Sequence, residues 1–364
     1  MKRGLVVTAA FAAAVAALAL YWHHGLQQEA VRWDQAKEIY ARSIELEGDT
    51  WHVSIESLVD KPAYQVWEAM KQPERSAEFV DSFRKSDLLE ESDGRKVVRM
   101  QVQVLTLPAI GFDAEFRFDE GARRVSMKSL GTPPQEIAAS YDIVASPDDT
   151  RTLVRYRGEV TNHIRLPLAE NVQRGAIEAM FVKTIRAVRA GIDATEQQAL
   201  REAATWAQAP EVAGASIEQH GNVWKASFRS EIGAPIASVW SALGRPHDWA
   251  GTSAALASVD VETDGSARKV LRLRGSLLAL PPQTWRAEID YDGEAKSAHL
   301  RTIGSPFLDL DATYRLEASA GGGTVIRYDV VATRRVTVPP PEEVQRGALR
   351  QLFAETVRAL ARAA

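Results

Sequence analysis

The chain has 364 residues, enough for two or three domains with cores of their own. Its net charge of −4 comes from acidic and basic residues mixed along the chain, so it has no block of like charge of the kind that makes a nucleic-acid tail. With no cysteine, it has neither a thiolate zinc site nor a lipid anchor on an N-terminal cysteine.

The first element is apolar. Gly4 to Trp22 carries no charged side chain and is mostly Ala, Leu and Val. As a helix this run is about 28 Å long, close to the hydrocarbon thickness of a bilayer. Lys2 and Arg3 precede it, and no further Lys or Arg appears before Arg32. The positive-inside rule then leaves the N-terminus in the cytoplasm and exports everything that follows. Residues 1–24 are therefore read as an uncleaved single-pass anchor of the inner membrane, with the remainder facing the periplasm or cell exterior. The alternative is a cleaved signal sequence, since Ala17-Leu18-Ala19 suits a signal peptidase and would release a periplasmic or secreted protein. Residues 25–48 are polar, Pro-free and rich in helix formers, which predicts a stalk helix.

A first domain is expected over 49–191, a linker over 192–214 and a second domain over 215–364. The division rests on an internal duplication. Trp51, Pro62, Val66, Trp67, Pro73, Arg99, Gly131 and Tyr141 recur 173 residues later as Trp224, Pro235, Val239, Trp240, Pro246, Arg272, Gly304 and Tyr314. Past one gap the offset falls by one, and 11 of 24 positions agree between 167–190 and 339–362. A period this long is a repeated domain and not a solenoid unit.

Each copy predicts one order of elements. A strand comes first, at His52–Val59 and Lys225–Ile232, followed by a short helix at Pro62 or Pro235 and a helical turn at Pro73 or Pro246. Alternating strands follow. In Lys96–Leu105, Met100 and Val102 face opposite to Arg99 and Gln101; in Phe112–Phe118, Phe112 and Phe116 face opposite to Asp113 and Glu115. Leu273, Trp285 and Ile289 repeat the apolar face. Further strands are expected near 125–130, 137–145 and 152–161, and a long amphipathic helix closes each copy from Leu168 and from Pro340. One-sided alternation is the pattern of an antiparallel sheet with a solvated outer face. A fold of the α+β class follows, with a curved antiparallel sheet around one long helix and a cavity between them.

The strand–helix–helix–strands–helix order, with Pro-x-x-x-Val-Trp-x-x-Met/Leu-x-x-Pro at the first helix pair, resembles the START-like helix-grip superfamily. That superfamily includes the polyketide cyclase, coenzyme Q-binding and birch-pollen-allergen types. The residues are Pro62, Val66, Trp67, Met70 and Pro73, and again Pro235, Val239, Trp240, Leu243 and Pro246. The resemblance implies two tandem helix-grip domains behind the transmembrane segment, and a cavity for a lipid, sterol-like or polyketide-like molecule. Some members of that superfamily are cyclases, and tandem copies occur among aromatase/cyclase proteins.

On the apolar parity Tyr141 and Tyr156, and their repeats Tyr314 and Tyr328, are the polar groups retained in both copies. No Asp, Glu, His or Lys recurs there, so no catalytic residue is assigned. Gly175 and Gly347 interrupt the closing helices, leaving room for a ligand or for close packing. With Met100, Val102, Phe112, Phe116, Leu273, Trp285 and Ile289 these form the candidate cavity set. Arg99, Arg272, Arg155 and Arg327 fall on the outer parity and read as a salt-bridge lattice. Leu105, Leu107, Ile110, Leu278, Leu280 and Phe307 lie in apolar loops and are candidates for membrane contact; tucking under the closing helix is the other option. The seven histidines show no metal-ligand spacing, and no metal or cofactor is expected.

The expected function is a membrane-tethered binding or transfer protein for a hydrophobic small molecule or lipid, with no nucleic-acid partner. The alternatives are a polyketide cyclase/aromatase-type enzyme and an envelope scaffold with filled cavities. Copy two, with Trp285, Tyr291 and Leu273 in place of Phe112, Phe118 and Met100, is the candidate for the filled copy.

Overall fold

A computed structural model describes residues 39–80, 82–103, 109–131, 133, 135–163, 170–278, 280–305, 308–336 and 339–364. The predicted anchor and residues 25–38 of the predicted stalk lie outside them. Among the described residues no helix is long and apolar enough to cross a membrane. The chain divides into two compact units between Ile192 and Asp193.

In the first unit, β1 (Ala41–Glu47) and β2 (Thr50–Val59) form a hairpin. Gly48 takes the first turn position at φ +63°, a conformation that glycine adopts without strain. After Pro62 come α1 (Ala63–Met70), a 3₁₀ turn (Pro73–Arg75) and α2 (Ser76–Phe79). Six strands follow: β3 (Phe83–Ser92), β4 (Arg95–Val102), β5 (Ile110–Asp119), β6 (Arg124–Leu130), β7 (Gln135–Ala145) and β8 (Thr152–Asn162). All pairings are antiparallel in the order β1-β2-β8-β7-β6-β5-β4-β3. The helix α3 (Glu170–Trp206) closes the unit.

The second unit repeats this with β9 (Gly214–His220), β10 (Val223–Ile232), α4 (Ile236–Leu243), a 3₁₀ turn (Pro246–Asp248), α5 (Trp249–Thr252) and six more strands. These are β11 (Leu256–Asp264), β12 (Arg268–Gly275), β13 (Gln283–Asp292), β14 (Ser297–Ile303), β15 (Leu308–Ala318) and β16 (Thr324–Arg334). The closing helix is α6 (Glu342–Ala363), and the sheet order is the same as in the first unit.

One expectation is corrected here. Residues 41–47 form β1, not a stalk helix. Ile44 is buried while its neighbours are exposed, and seven register pairs with β2 outweigh the helical preference of Glu45-Leu46-Glu47. The segment over 192–214, whose sequence opens with helix formers and ends in a Pro/Gly break, continues α3 to Trp206, and β9 begins at Gly214.

Alternation decides which face is buried. In β2, Trp51, Val53 and Ile55 are buried and His52 is exposed. Residues of β2, β4, β5, β6, β7 and β8 share one apolar cluster with Phe181 and Ile185 of α3. Only a sheet bent around the helix brings side chains from all six strands to one helix face. The second unit builds the matching cluster around Phe353 and Val357. The outer face carries the charge lattice. Arg99 bonds Asp113 at 2.9 Å, and Arg301 bonds Glu288 at 2.6 Å. Arg155 pairs with Glu56 at 3.1 Å, and Arg272 with Glu262 at 2.9 Å. Arg117 and Arg95 hold the Glu115 carboxyl below the usual carboxylate range. Such exposed pairs add little stability each.

Candidate functional site

The inner face of the first domain is almost wholly apolar. Along the inward positions of β4 to β8 the titratable side chains are Tyr141, Tyr156 and Lys96, which stands opposite Phe116 and pairs with Glu74 at 2.7 Å. The expectation that no Lys recurs on this face is corrected, because Lys269 repeats it opposite Ile289. The two tyrosines sit directly opposite each other on β7 and β8, with ring centroids 4.9 Å apart, and the Tyr156 ring lies 5.8 Å from that of Phe181. Burial pushes the Tyr156 hydroxyl up to about 12, and it pushes the Tyr141 hydroxyl up strongly, with Tyr156 adding to the effect. Tyr141 nevertheless keeps accessible surface.

The second domain offers a like-for-like comparison, because the repeat pairs each position. Ala139, Tyr141, Gly158, Val160, Ile177 and Val188 are all half-buried. Their counterparts Ala312, Tyr314, Val330, Ala332, Leu349 and Leu360 are all buried. The difference has a visible cause. Where the first domain has Ile55, the second has Phe228, whose ring stacks on Phe353 at 5.2 Å and lies 6.2 Å from Tyr328. Where the first has Gly158, the second has Val330. A Cβ built on Gly158 would lie 2.8 Å from the Tyr156 hydroxyl and 2.9 Å from the Ala139 Cβ, so the glycine is what admits the hydroxyl there.

In the second domain, a cavity of about 50 Å³ is lined by Trp249, Trp285, Tyr314, Leu352, Glu355 and Leu360, among others. One water occupies roughly 30 Å³, and ligand pockets run to roughly 300–1,000 Å³. Glu355, 4% exposed, is a satisfied buried charge: it accepts from the Ala254 amide at 2.8 Å and from Arg358 at 3.0 Å.

The predicted cavity residues sort accordingly. Met100 and Phe116 are core, and Val102 and Phe112 line the first interior at half burial. Leu273, Ile289 and Tyr328 are buried in the core, while Tyr314, itself buried, and half-buried Trp285 line the small cavity. Gly175 lies on α3, with its surroundings outside the described side chains. Gly347 is corrected: it serves close packing and not a ligand, since a Cβ there would come within 2.6 Å of the Ala203 Cα. Gly347→Ala is expected to destabilise the second domain by about 1–3 kcal/mol through overpacking, although Ala favours helix by about 1 kcal/mol. A denaturation midpoint above wild type would overturn that account.

The membrane-contact reading is corrected at Leu278 and Leu280. Leu278 is 6% exposed and Leu280 partly buried, both against Ala199, Ala203 and Val344. The Gln351 side chain accepts the Leu278 amide hydrogen, fixing the loop under α6. Ile110 begins β5 at half burial, and Leu105, Leu107 and Phe307 lie outside the described residues. Among the described residues no cluster of His, Asp and Glu could hold a metal ion. Sequence reasoning missed Ala139 and Gly158, although a glycine inside a strand is a signal of close approach.

Residues 223–364 match the family described as polyketide cyclase / dehydrase and lipid transport. The match covers the second domain, whose strand order and helices the first repeats. The Zhui aromatase/cyclase from a Streptomyces species is 20% identical, covering 40% of this chain and 94% of its own, with a TM-score of 0.36. The di-domain ARO/CYC BexL is 15% identical over 86% of this chain and 98% of its own, with a TM-score of 0.35. A START superfamily protein from Mycobacterium smegmatis is 13% identical over 39% of this chain and 97% of its own, with a TM-score of 0.34. No curated protein matches the chain.

Proposed function

We propose that this protein binds a hydrophobic small molecule inside its first domain and carries or presents it. The supporting observation is the contrast between paired positions, half-buried in the first domain and buried in the second. Binding comes from removing apolar ligand surface from water, at about 25 cal/mol per Å² before association costs. Carriage is favoured over conversion because, among the described inward positions of β4 to β8 in the first domain, the polar titratable groups are two phenols and Lys96, whose amine is engaged by Glu74 at 2.7 Å. The apolar run Gly4–Trp22 supplies the tether in this reading, confining the carrier to one membrane and raising its effective concentration there. The filled second domain acts as a support, which is the scaffold reading applied to one copy.

Native mass spectrometry of the full chain purified from its host tests this. One equivalent of an apolar ligand is expected. Gly158→Val, which gives the first domain the second domain's residue, is expected to cut occupancy at least tenfold. A protein that stays empty, or a variant with undiminished occupancy, would overturn the proposal.

A further inference from the structure

The repeat begins upstream of both sheets. At the same offset of 173 residues and without a gap, Glu29, Ala30, Trp33, Gln35, Ala36 and Glu38 recur as Glu202, Ala203, Trp206, Gln208, Ala209 and Glu211. The second copy of this segment lies within the second unit, which begins at Asp193. Ala199 and Ala203, on the last part of α3, pack with Val344 of α6 and with Leu278 and Leu280 of the loop before β13. Ala203 occupies the notch at Gly347, where an added Cβ would come within 2.6 Å of the Ala203 Cα. Past the helix end Glu211 bonds Arg358 at 2.7 Å, and the Arg358 guanidinium lies 4.7 Å from the centre of the Trp206 ring. A small-residue notch and a charged clasp thus hold residues 199–211 on the domain that follows them.

The first copy keeps the residues of both parts. Gly175 stands on α3 where Gly347 stands on α6, Arg186 where Arg358 stands, and Leu105 and Leu107 where Leu278 and Leu280 stand. A glycine inside a helix costs about 1 kcal/mol against alanine. Both closing helices carry it, each time with the same alanine, tryptophan and glutamate ahead of the domain. We infer that residues 25–38 dock on the first domain as residues 198–211 do on the second, with Ala30 against Gly175 and with Trp33 and Glu38 on Arg186. Chain continuity fixes the occupant. Ile39, the next residue, packs against the core of the first domain, and Arg42 of β1 pairs with Glu178 of α3 at 2.8 Å, one turn from Gly175. The chain therefore arrives at the face on which the segment docks. Docked, the segment covers the loop of Leu105 and Leu107, which then meet protein and not lipid. It also removes a spacer: as a free helix, residues 25–38 would hold the first domain about 21 Å beyond the apolar run Gly4–Trp22. Docked, they keep the domain next to that run, whether or not it carries a ligand.

Hydrogen exchange of the full chain in lipid nanodiscs tests this, with Ala30→Leu as the decisive variant. Leucine nearly equals alanine as a helix former, so a free helix over 25–38 would keep its wild-type exchange rates, and a helix lying in lipid would exchange more slowly. A helix seated on Gly175 has no room for the added side chain. Amides 26–38 are therefore expected to exchange about tenfold faster in Ala30→Leu, while those of β7 and β8 stay within about twofold of wild type. Ala203→Leu should do the same to amides 199–206 and sets the scale in the second domain. Unchanged or slower exchange over 26–38 in Ala30→Leu, or a wild-type segment with no protection, would overturn the docking. Should β7 and β8 lose protection as well, Trp33→Ala decides. Alanine is the better helix former, so a free helix would slow, whereas a docked one that loses its stack on Arg186 is expected to exchange about threefold faster. Unchanged or slower exchange in that variant would overturn the docking too.

Discussion

Phe353→Ala is expected to destabilise the second domain by about 3–5 kcal/mol, and the equivalent Phe181→Ala to cost the first domain less. Phe353 is fully buried and stacks at 5.2 Å on Phe228 and 5.9 Å on Tyr328. Removing its ring leaves a void walled by aromatic groups that are themselves locked in place, so collapse cannot fill it. Phe181 packs beside Ile177 and Val188, which already keep accessible surface, and its removal enlarges a space that exists. The cost of truncation depends on how much of the neighbourhood was packed beforehand, and the two domains differ there. Against a typical total stability of about 5–15 kcal/mol, the Phe353 variant is marginal. Hydrogen exchange reads the two domains separately. Protection should fall in β15 and β16 of the first variant far more than in β7 and β8 of the second. A void of this kind stays dry and takes up benzene, so benzene should restore protection to the Phe353 variant. Equal losses in the two variants would mean that the first interior is as tightly packed as the second, and the case for a ligand there would fall.

How much of this was legible in the sequence depended on whether one residue or a pair of distant ones decided the outcome. The parity of Met100, Phe116, Tyr141 and Tyr156 is local, and each points inward as the alternation requires. The duplication located the elements twice. Ala41–Glu47 was misread because its preference is helical and its partner β2 overrides it. Leu278 was misread because its burial depends on Gln351, 73 residues away. The sequence reading made the second half the candidate for the filled copy on Trp285, Tyr291 and Leu273. Trp285 and Tyr291 stay half-buried, Tyr291 donating to the Leu243 carbonyl at 3.2 Å; the filling comes from Phe228 and Val330. Those letters are plain in the sequence, but their effect appears only when Ile55 and Gly158 are set against them in register.

Alkaline pH should destabilise the protein steeply between about 10 and 12, and the steepness measures how dry the first interior is. Burial raises the hydroxyls of Tyr141, Tyr156, Tyr314 and Tyr328, that of Tyr156 from 10.0 to about 12. A group whose folded pKa is raised contributes stability that is fully present below its unfolded pKa. That contribution is lost as pH rises through the folded value. For Tyr156 it is on the order of 3 kcal/mol, falling by about 1.4 kcal/mol per pH unit across the window. Lysines and other groups titrate in the same range, so the informative comparison is Tyr156→Phe against wild type. The variant should lose stability less steeply, by about 1.4 kcal/mol per pH unit, in denaturant midpoints taken from pH 8 to 11.5. An unchanged slope would mean that water solvates the phenolate in the folded state. The space facing Tyr156 would then be wet, and a ligand entering it would have to displace that water. A full difference in slope describes a dry apolar surrounding for the Tyr156 hydroxyl, which an apolar ligand would enter without displacing water.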